Sequence, residues 1–274
     1  MRHSERYAVH EFDTLDDTAL WIRDYSALKF GSDGAARRFG YEIADGFFAT
    51  HSAYLMANPC VVIPSPYNFV PNAATIMARH FTNRLNHHLA DSQGTTAEWS
   101  IIHRKVSYTN DYGFLPKEQR RRLIDNDKFY FNDDFVEGKT LIFVDDVLIT
   151  GTHEDKLVDI MDKAKMPNHS FFLYYAMYAE GGAHPAIEAA LNFAQVKSLE
   201  DYLELTREQN HHIIVRPIKY LLSRSLEEFE LVLAQFDPRV VSELYNGALG
   251  EGYFKIPEYQ PNFGALRKRY LELF

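Results

Sequence analysis

The sequence predicts an α/β protein: a parallel twisted sheet flanked by helices, followed by an α-helical C-terminal extension. Three observations carry this. Short apolar runs at Cys60–Ile63, Thr140–Val144 and Phe171–Tyr178 have the length and the β-branched or aromatic content of buried strands. Helical stretches separate them, and strands alternating with helices imply a parallel sheet with right-handed crossovers. From about residue 183 onward, capping boxes and helical apolar spacing take over.

The elements follow in order. Thr14-Leu15-Asp16-Asp17 resembles a capping box and should open a helix running towards Phe30. Gly31 and Gly34 break it, and Asp33 should cap a second helix through Ile43, Phe47 and Phe48. Pro64 and Pro66 stop the strand that starts at Cys60. Pro71 suits the first turn of a helix carrying Ile76, Met77, Phe81 and Leu85. A strand around Trp99–His103 leads into a polar, tyrosine-bearing loop and a helix starting near Pro116. After Thr140–Val144 comes a turn, then a helix with Leu157, Val158, Ile160 and Met161. Ser198-Leu199-Glu200-Asp201 and Ser225-Leu226-Glu227-Glu228 are capping boxes, the second followed by Phe229, Val232 and Leu233 at helical spacing. His211–Val215 has the character of an edge strand. The chain thus divides into an N-terminal helical segment (1–24), a core (25–183) and a helical extension (184–274).

With 46% hydrophobic and 24% charged residues, the chain can build a real core. A net charge of -9 argues against gripping a nucleic-acid backbone. One basic island departs from it. Arg104, Lys105, Lys117, Arg120, Arg121, Arg122 and Lys128 outnumber Asp111, Glu118, Asp125 and Asp127, which suits a small anionic ligand. The single cysteine, Cys60, lies in an apolar run and should be an inert core thiol. Neither a signal peptide nor an apolar run of membrane length is evident, so a soluble, cytosolic protein is expected. In that setting the sequon Asn168-His169-Ser170 carries no meaning. His87-His88 and His211-His212 point to different helical faces and should be surface histidines.

The most informative stretch runs from Gly138 to Thr152. A hydrophobic strand enters two adjacent carboxylates, Asp145 and Asp146, then a small-residue turn, Thr150-Gly151-Thr152, then a helix. Ligands of open parallel sheets bind beyond the carboxyl ends of strands. A helix N-terminus preceded by Gly and Thr offers amides, hydroxyls and a positive dipole end to phosphate. Two carboxylates nearby can accept hydrogen bonds from a ribose diol, and their place at an exposed strand end gives them a chemical role, not an architectural one. Together these features describe a sugar-phosphate pocket. There is no G-x-x-x-x-G-K-[ST], G-x-G-x-x-G, H-E-x-x-H or G-x-S-x-G.

Val144–Thr152 resembles the ribose-phosphate motif of type I phosphoribosyltransferases. Ala27-Leu28-Lys29-Phe30-Gly31, Ile63-Pro64-Ser65-Pro66 with Asn72 and Ala73, and His103-Arg104-Lys105 with Thr109, Asn110, Leu115 and Arg120–Arg122 are similar to the ComF-like branch. The resemblance covers roughly residues 25–180, and some such members are associated with tellurite-resistance and stress gene clusters. It implies Asp145 and Asp146 on the ribose hydroxyls, and Thr150, Gly151 and Thr152 around the 5-phosphate. Ser65, Pro66 and Tyr67 would form the pyrophosphate loop, with Arg104 and Lys105 meeting pyrophosphate. The family motif ends with Thr or Ser two places beyond its Gly, where this chain has His153. Two readings stay open: Thr152 substitutes from one place earlier, or His153 itself donates to the phosphate.

The implied reaction is displacement of pyrophosphate from C1 of phosphoribosyl diphosphate through a cationic ring. Mg²⁺, bound through the pyrophosphate with Asp145 or Asp146 available to it, would neutralise the leaving group together with Arg104 or Lys105. The acceptor is unreadable, although Tyr67, Tyr108 or Tyr112 could stack on a base. Two alternatives stand beside transfer: a non-catalytic sensor of a nucleoside monophosphate or phosphoribosyl diphosphate, and a hydrolase or phosphorylase using the same ribose site. A homodimer is left open.

Overall fold

The computed structural model describes residues 4–13, 20–105, 128–130, 132–179 and 185–274. The capping box at Thr14, the helix near Pro116, residues Tyr108, Thr109, Asn110, Tyr112, Leu115 and Arg120–Arg122, and much of the basic island lie outside them.

The expected parallel sheet is present. Strands β1 (Ser4–Phe12), β2 (Cys60–Pro64), β3 (Glu98–Trp99), β6 (Thr140–Val144), β7 (Val147–Leu148) and β8 (Ser170–Tyr178) form a six-stranded sheet. Its order is β1-β8-β6-β2-β3, with β7 continuing beside β8 beyond the end of β6, and every neighbouring pair is parallel. Strands β4 (His103–Lys105) and β5 (Lys128–Tyr130) make a separate antiparallel pair.

Side chains alternate across a strand, and both faces of this sheet are covered. Val62, Ile142, Val144, Phe171 and Leu173 pack with helices α1 (Leu20–Lys29), α2 (Asp33–Ala57) and α3 (Ala73–Asp91). Val61, Ile63, Leu141, Phe143 and Phe172 pack on the other face, with Val136 of α4 (Asp133–Val136) and Leu157 and Met161 of α5 (Thr152–Lys163). Burial on both faces is why β2 and β6 are apolar at nearly every position. Cys60 sits in this core as expected, and burial pushes its thiol up to about 12.

The N-terminal segment departs from expectation. Ser4–Phe12 is a strand, not part of a helical segment, and it pairs along the whole length of β8 from Ser4↔Ser170 to Phe12↔Tyr178. As an edge strand it carries Glu5, Arg6, His10 and Glu11, which blur the apolar signal, and its partner is remote in sequence. Ser32, not Asp33, caps α2, its hydroxyl accepting from the Ala35 amide. Asn72 caps α3, so Pro71 precedes the helix and does not sit in its first turn.

After β2, α3 carries the chain outward to β3, whereas after β6, α5 carries it the opposite way to β8. The loops leaving these adjacent parallel strands therefore diverge. A crevice opens between them, at the position where open sheets of this kind bind ligands.

Helices α6 (Pro185–Asn192), α7 (Leu199–Leu205), α8 (Val215–Leu222), α9 (Leu226–Leu233), α10 (Pro238–Gly250) and α11 (Gln260–Leu273) form the C-terminal layer. Both expected capping boxes form, Ser198 with Asp201 and Ser225 with Glu228. Phe229, Val240, Leu244 and Leu266 build a second apolar cluster, into which Phe30 and Val70 reach from the core. His211–Val215 is not a strand: its first four residues are irregular chain and Val215 opens α8. This chain lies against Gly31, whose carbonyl accepts from the His212 amide at 2.9 Å. Gly31 has φ +103°, and a Cβ there would meet His212 O at 2.0 Å, so only glycine fits. His211 is buried, not a surface residue, and its Nε2 donates to Phe30 O at 2.9 Å. Burial pushes its pKa down to about 4, so it is neutral at pH 7. Among the described residues, no helix is long and apolar enough to cross a membrane.

Phe30 is fully buried, with the rings of Phe193, Tyr202 and Tyr220 at 5.7, 5.9 and 5.2 Å. Phe30→Ala should cost about 3–5 kcal/mol in urea denaturation. A loss below about 1 kcal/mol would mean that this ring does not join the two layers.

Candidate functional site

The backbone at the end of β6 is still held as strand: the Asp145 amide donates to Leu173 O at 3.0 Å, and the Tyr175 amide donates to Asp146 O at 2.8 Å. Successive side chains therefore point to opposite faces, and the two acids separate. Asp146 turns towards α1. It is buried, at 6% exposure, and its carboxylate accepts from Lys29 Nζ at 2.5 Å, Tyr25 Oη at 3.3 Å and the Val147 amide at 2.8 Å. This carboxylate is built into the architecture, contrary to expectation, because burying it requires the Lys29 charge and these donors. Asp145 turns towards α5. Its Oδ1 accepts from the Asp146 amide at 2.9 Å, and its Oδ2 lies 3.6 Å from His153 Nδ1. Burial pushes the Asp145 carboxyl up, but the hydrogen bond and charge of His153, with the charge of Lys29, outweigh it. The net result lies below the ordinary carboxylate range.

The turn Thr150-Gly151-Thr152 heads α5 as expected. Gly151 has φ +71°, the left-handed region that glycine enters without strain, and stands at the N-cap with no side-chain cap bond. The Thr150 and Thr152 hydroxyls are 3.0 Å apart. Glu154, in the first turn, is nearly buried; it accepts from Arg6 Nε at 2.9 Å and from Tyr174 Oη at 2.8 Å. The edge strand β1 thus supplies the cation that balances a carboxylate at the head of this helix.

Across the crevice, Asn72 Nδ2 donates to Ser65 O at 3.2 Å and Pro66 O at 3.3 Å, while its Oδ1 caps α3. The Ser65 amide donates to Val144 O at 3.2 Å, which ties the Ser65-Pro66-Tyr67 loop to β6. Tyr67 bridges to His103, so the backbone of β4 runs beside this loop. Arg104 and Lys105 follow on β4; their side chains lie outside the described residues. Beyond Tyr67, Glu251 at the end of α10 accepts from the Phe69 and Val70 amides at 2.9 and 2.7 Å and from Asn68 Nδ2 at 3.2 Å.

One cavity of about 820 Å³ joins these parts. Asp145, Asp146, Thr150–His153 and Ser65–Tyr67 all line it. So do Tyr25 and Lys29 from α1, and Arg216, Lys219 and Tyr220 from α8. The sequence placed Lys29 only in a family-like segment, and Arg216, Lys219 and Glu251 not at all. A cationic stripe on α8 is visible as Arg216 and Lys219 opposite Ile218, Leu221 and Leu222, but nothing local says which surface it faces.

A family model described as PRTase ComF-like matches residues 4–266, and so extends through most of the C-terminal layer. Among solved structures, the chain is similar to a hypoxanthine phosphoribosyltransferase from Staphylococcus aureus in two crystal forms. The tetragonal form is 10% identical with a TM-score of 0.34, over 52% of this chain and 73% of that one. The orthorhombic form is 12% identical with a TM-score of 0.32, over 53% and 75%. No curated protein matches.

The lowered Asp145 carboxyl makes an acid-side prediction. Because its folded pKa lies below the ordinary 3.8, the ionised form stabilises the fold. That contribution is present above the unfolded value and is lost as pH falls through the folded one. His153→Ala removes the main lowering influence, so thermal midpoints measured from about pH 3 to pH 7 should begin to fall at a higher pH than in the parent. Superimposable acid limbs would show that His153 does not hold Asp145.

Proposed function

The chain belongs to the ComF-like phosphoribosyltransferase family, and from that premise we propose that its cavity binds phosphoribosyl diphosphate or a nucleoside 5-monophosphate. We further propose that it transfers the phosphoribosyl group with release of pyrophosphate. The observation that carries this reading is the convergence on one crevice of a carboxylate pair, a glycine turn heading a helix, and a second loop from the adjacent parallel strand. A phosphate at Thr150–Thr152 would meet α5 amides, two hydroxyls and the positive dipole end. Asp145, half-buried and facing the cavity, would receive a ribose hydroxyl and favour the cation that develops as the C1–O bond breaks. Asp146 would act chiefly by fixing Lys29 and the turn. Ser65, Pro66 and Tyr67 would receive pyrophosphate, with Arg104 and Lys105 beside them on β4.

Mg²⁺ fits this site as an ion carried in on the substrate. Among the described residues no group of three or more His, Cys, Asp or Glu is placed to hold a metal, and Mg²⁺ prefers phosphate oxygens and retained waters to an all-protein cage. Of the two acids, Asp145, which faces the cavity, is the side chain that would contact it, and bound there it would neutralise charge on the leaving pyrophosphate.

One observation favours a second reading, a sensor without turnover: His153 stands where the family motif has Thr or Ser, and it lies beside Asp145. Product analysis separates the two.

Phosphoribosyl diphosphate with Mg²⁺ should raise the melting temperature, since a ligand of the native state must stabilise it. No shift at millimolar concentration with this compound, ribose 5-phosphate or nucleoside monophosphates would remove the ribose-phosphate site. With a turnover substrate in hand, Asp145→Asn should lower kcat on the order of 100-fold or more at unchanged stability. Asp146→Asn should instead cost about 3–5 kcal/mol of stability by leaving Lys29 unpaired. Equal stability of the two variants would overturn this division of roles.

A further inference from the structure

A carboxylate at the third residue of a helix can cap that helix. It bends back to the amide of the N-cap residue, a place that favours negative charge. This chain does so twice. At the head of α7, Asp201 Oδ2 accepts from the Ser198 amide at 2.9 Å. At the head of α9, Glu228 Oε2 accepts from the Ser225 amide at 3.3 Å. Glu154 holds the same place in α5, three residues after the N-cap Gly151. It does not bend back.

Two groups draw Glu154 the other way. Arg6 Nε donates to both of its carboxylate oxygens at 2.9 Å, and Arg6 Nη2 lies 2.9 Å from Oε1. Tyr174 Oη donates to Oε2 at 2.8 Å. Arg6 pairs in register with Phe172, two residues before Tyr174, so both side chains project to the face that carries α5. Burial, and then the Glu154 charge, raise the Tyr174 phenol well above its usual range, which keeps it a donor. Glu154 and Tyr174 both line the cavity. A capping carboxylate and a phosphate need the same amide. With Glu154 on Gly151, an incoming phosphate must displace the cap and meet a like charge. With Glu154 on Arg6, the turn is offered and the carboxylate's charge is neutralised.

We propose that Arg6 and Tyr174 are positioning residues for the Thr150–Thr152 turn: they keep Glu154 off the Gly151 amide, and without them Glu154 caps its own helix and competes with the phosphate. The inference rests on the phosphoribosyl reading above and deepens it. It gives the edge strand β1 a part in ligand binding, exerted through a carboxylate and not by contact with the ligand.

The test measures binding of ribose 5-phosphate, and of phosphoribosyl diphosphate with Mg²⁺, by calorimetry on the full chain. Urea denaturation of each variant sets a temperature at which all are folded. Arg6→Gln should weaken both ligands about 10-fold, roughly the worth of one helix cap. Arg6→Lys, which keeps the charge, should recover most of that loss. Tyr174→Phe, which leaves the ion pair in place, should weaken binding in the same direction by a smaller factor. Glu154→Gln breaks the same pair but removes the competitor, so it should bind as tightly as the parent or more tightly. The double variant Arg6→Gln/Glu154→Gln should return to the parent's affinity, a rescue that independent effects would not produce. An ion pair that merely braces the fold predicts the opposite, with Glu154→Gln as weak as Arg6→Gln and no rescue. Either of those results, or an unchanged affinity in Arg6→Gln, overturns the proposal and leaves the phosphoribosyl reading standing. Absence of binding of both ligands to the parent overturns both.

Discussion

Asp146 is a carboxylate with 6% exposure at the end of a central strand, and an ion buried so deeply survives only with a partner and hydrogen bonds. Lys29 supplies the charge, and Tyr25 and the Val147 amide supply donors. That requirement fixes where α1 ends. The two residues that follow Lys29 then reach the C-terminal layer: Phe30 enters its apolar cluster, and Gly31 receives the chain that leads into α8. Three consecutive residues thus connect the carboxyl end of the sheet to the helices of the C-terminal layer. The tyrosine pays a chemical consequence of this burial, since burial and then the neighbouring Asp146 raise the Tyr25 phenol well above its usual range.

The roof and the floor are coupled a second time at the β2 loop. Asn72 holds the loop's carbonyls from the α3 side, and Glu251 holds the amides of Phe69 and Val70 from the α10 side. Backbone groups in a loop that leaves a buried strand must find partners, and here the two layers share that task. The C-terminal helices are therefore part of the site's construction, consistent with a family match that runs to residue 266. The edge strand β1 has a comparable role on the other side, where Arg6 meets Glu154 at the head of α5.

Much of this was legible in the sequence because it depends on short-range order. Thr140–Val144 read as a buried strand because a strand covered on both faces is apolar throughout, and it is one. The serine capping boxes at 198 and 225 formed because a cap is decided within four residues. The Thr150-Gly151-Thr152 turn was readable for the same reason: only glycine takes φ +71° without strain, and it stands where strand gives way to helix. What the local pattern misjudged depended on remote partners. Ser4–Phe12 is a strand only because β8, over 160 residues away, offers it an edge. His211 is buried only because Phe30 O receives its ring N–H.

By itself, the sequence determined the alternation of strands and helices, the pair of acids at a strand end and the glycine turn after them. Each of these rests on backbone geometry and side-chain periodicity within a dozen residues. The tertiary structure alone decided that the two acids part company, one to Lys29 and one to His153, because strand alternation sends them to opposite faces whose neighbours come from distant segments. It alone decided that Arg216 and Lys219 face the same cavity as Asp145, because the apolar side of α8 is claimed by a cluster assembled from distant segments of the chain, Phe30 and Val70 among them. Charge and periodicity give a helix two faces; only packing against partners far along the chain says what each face meets.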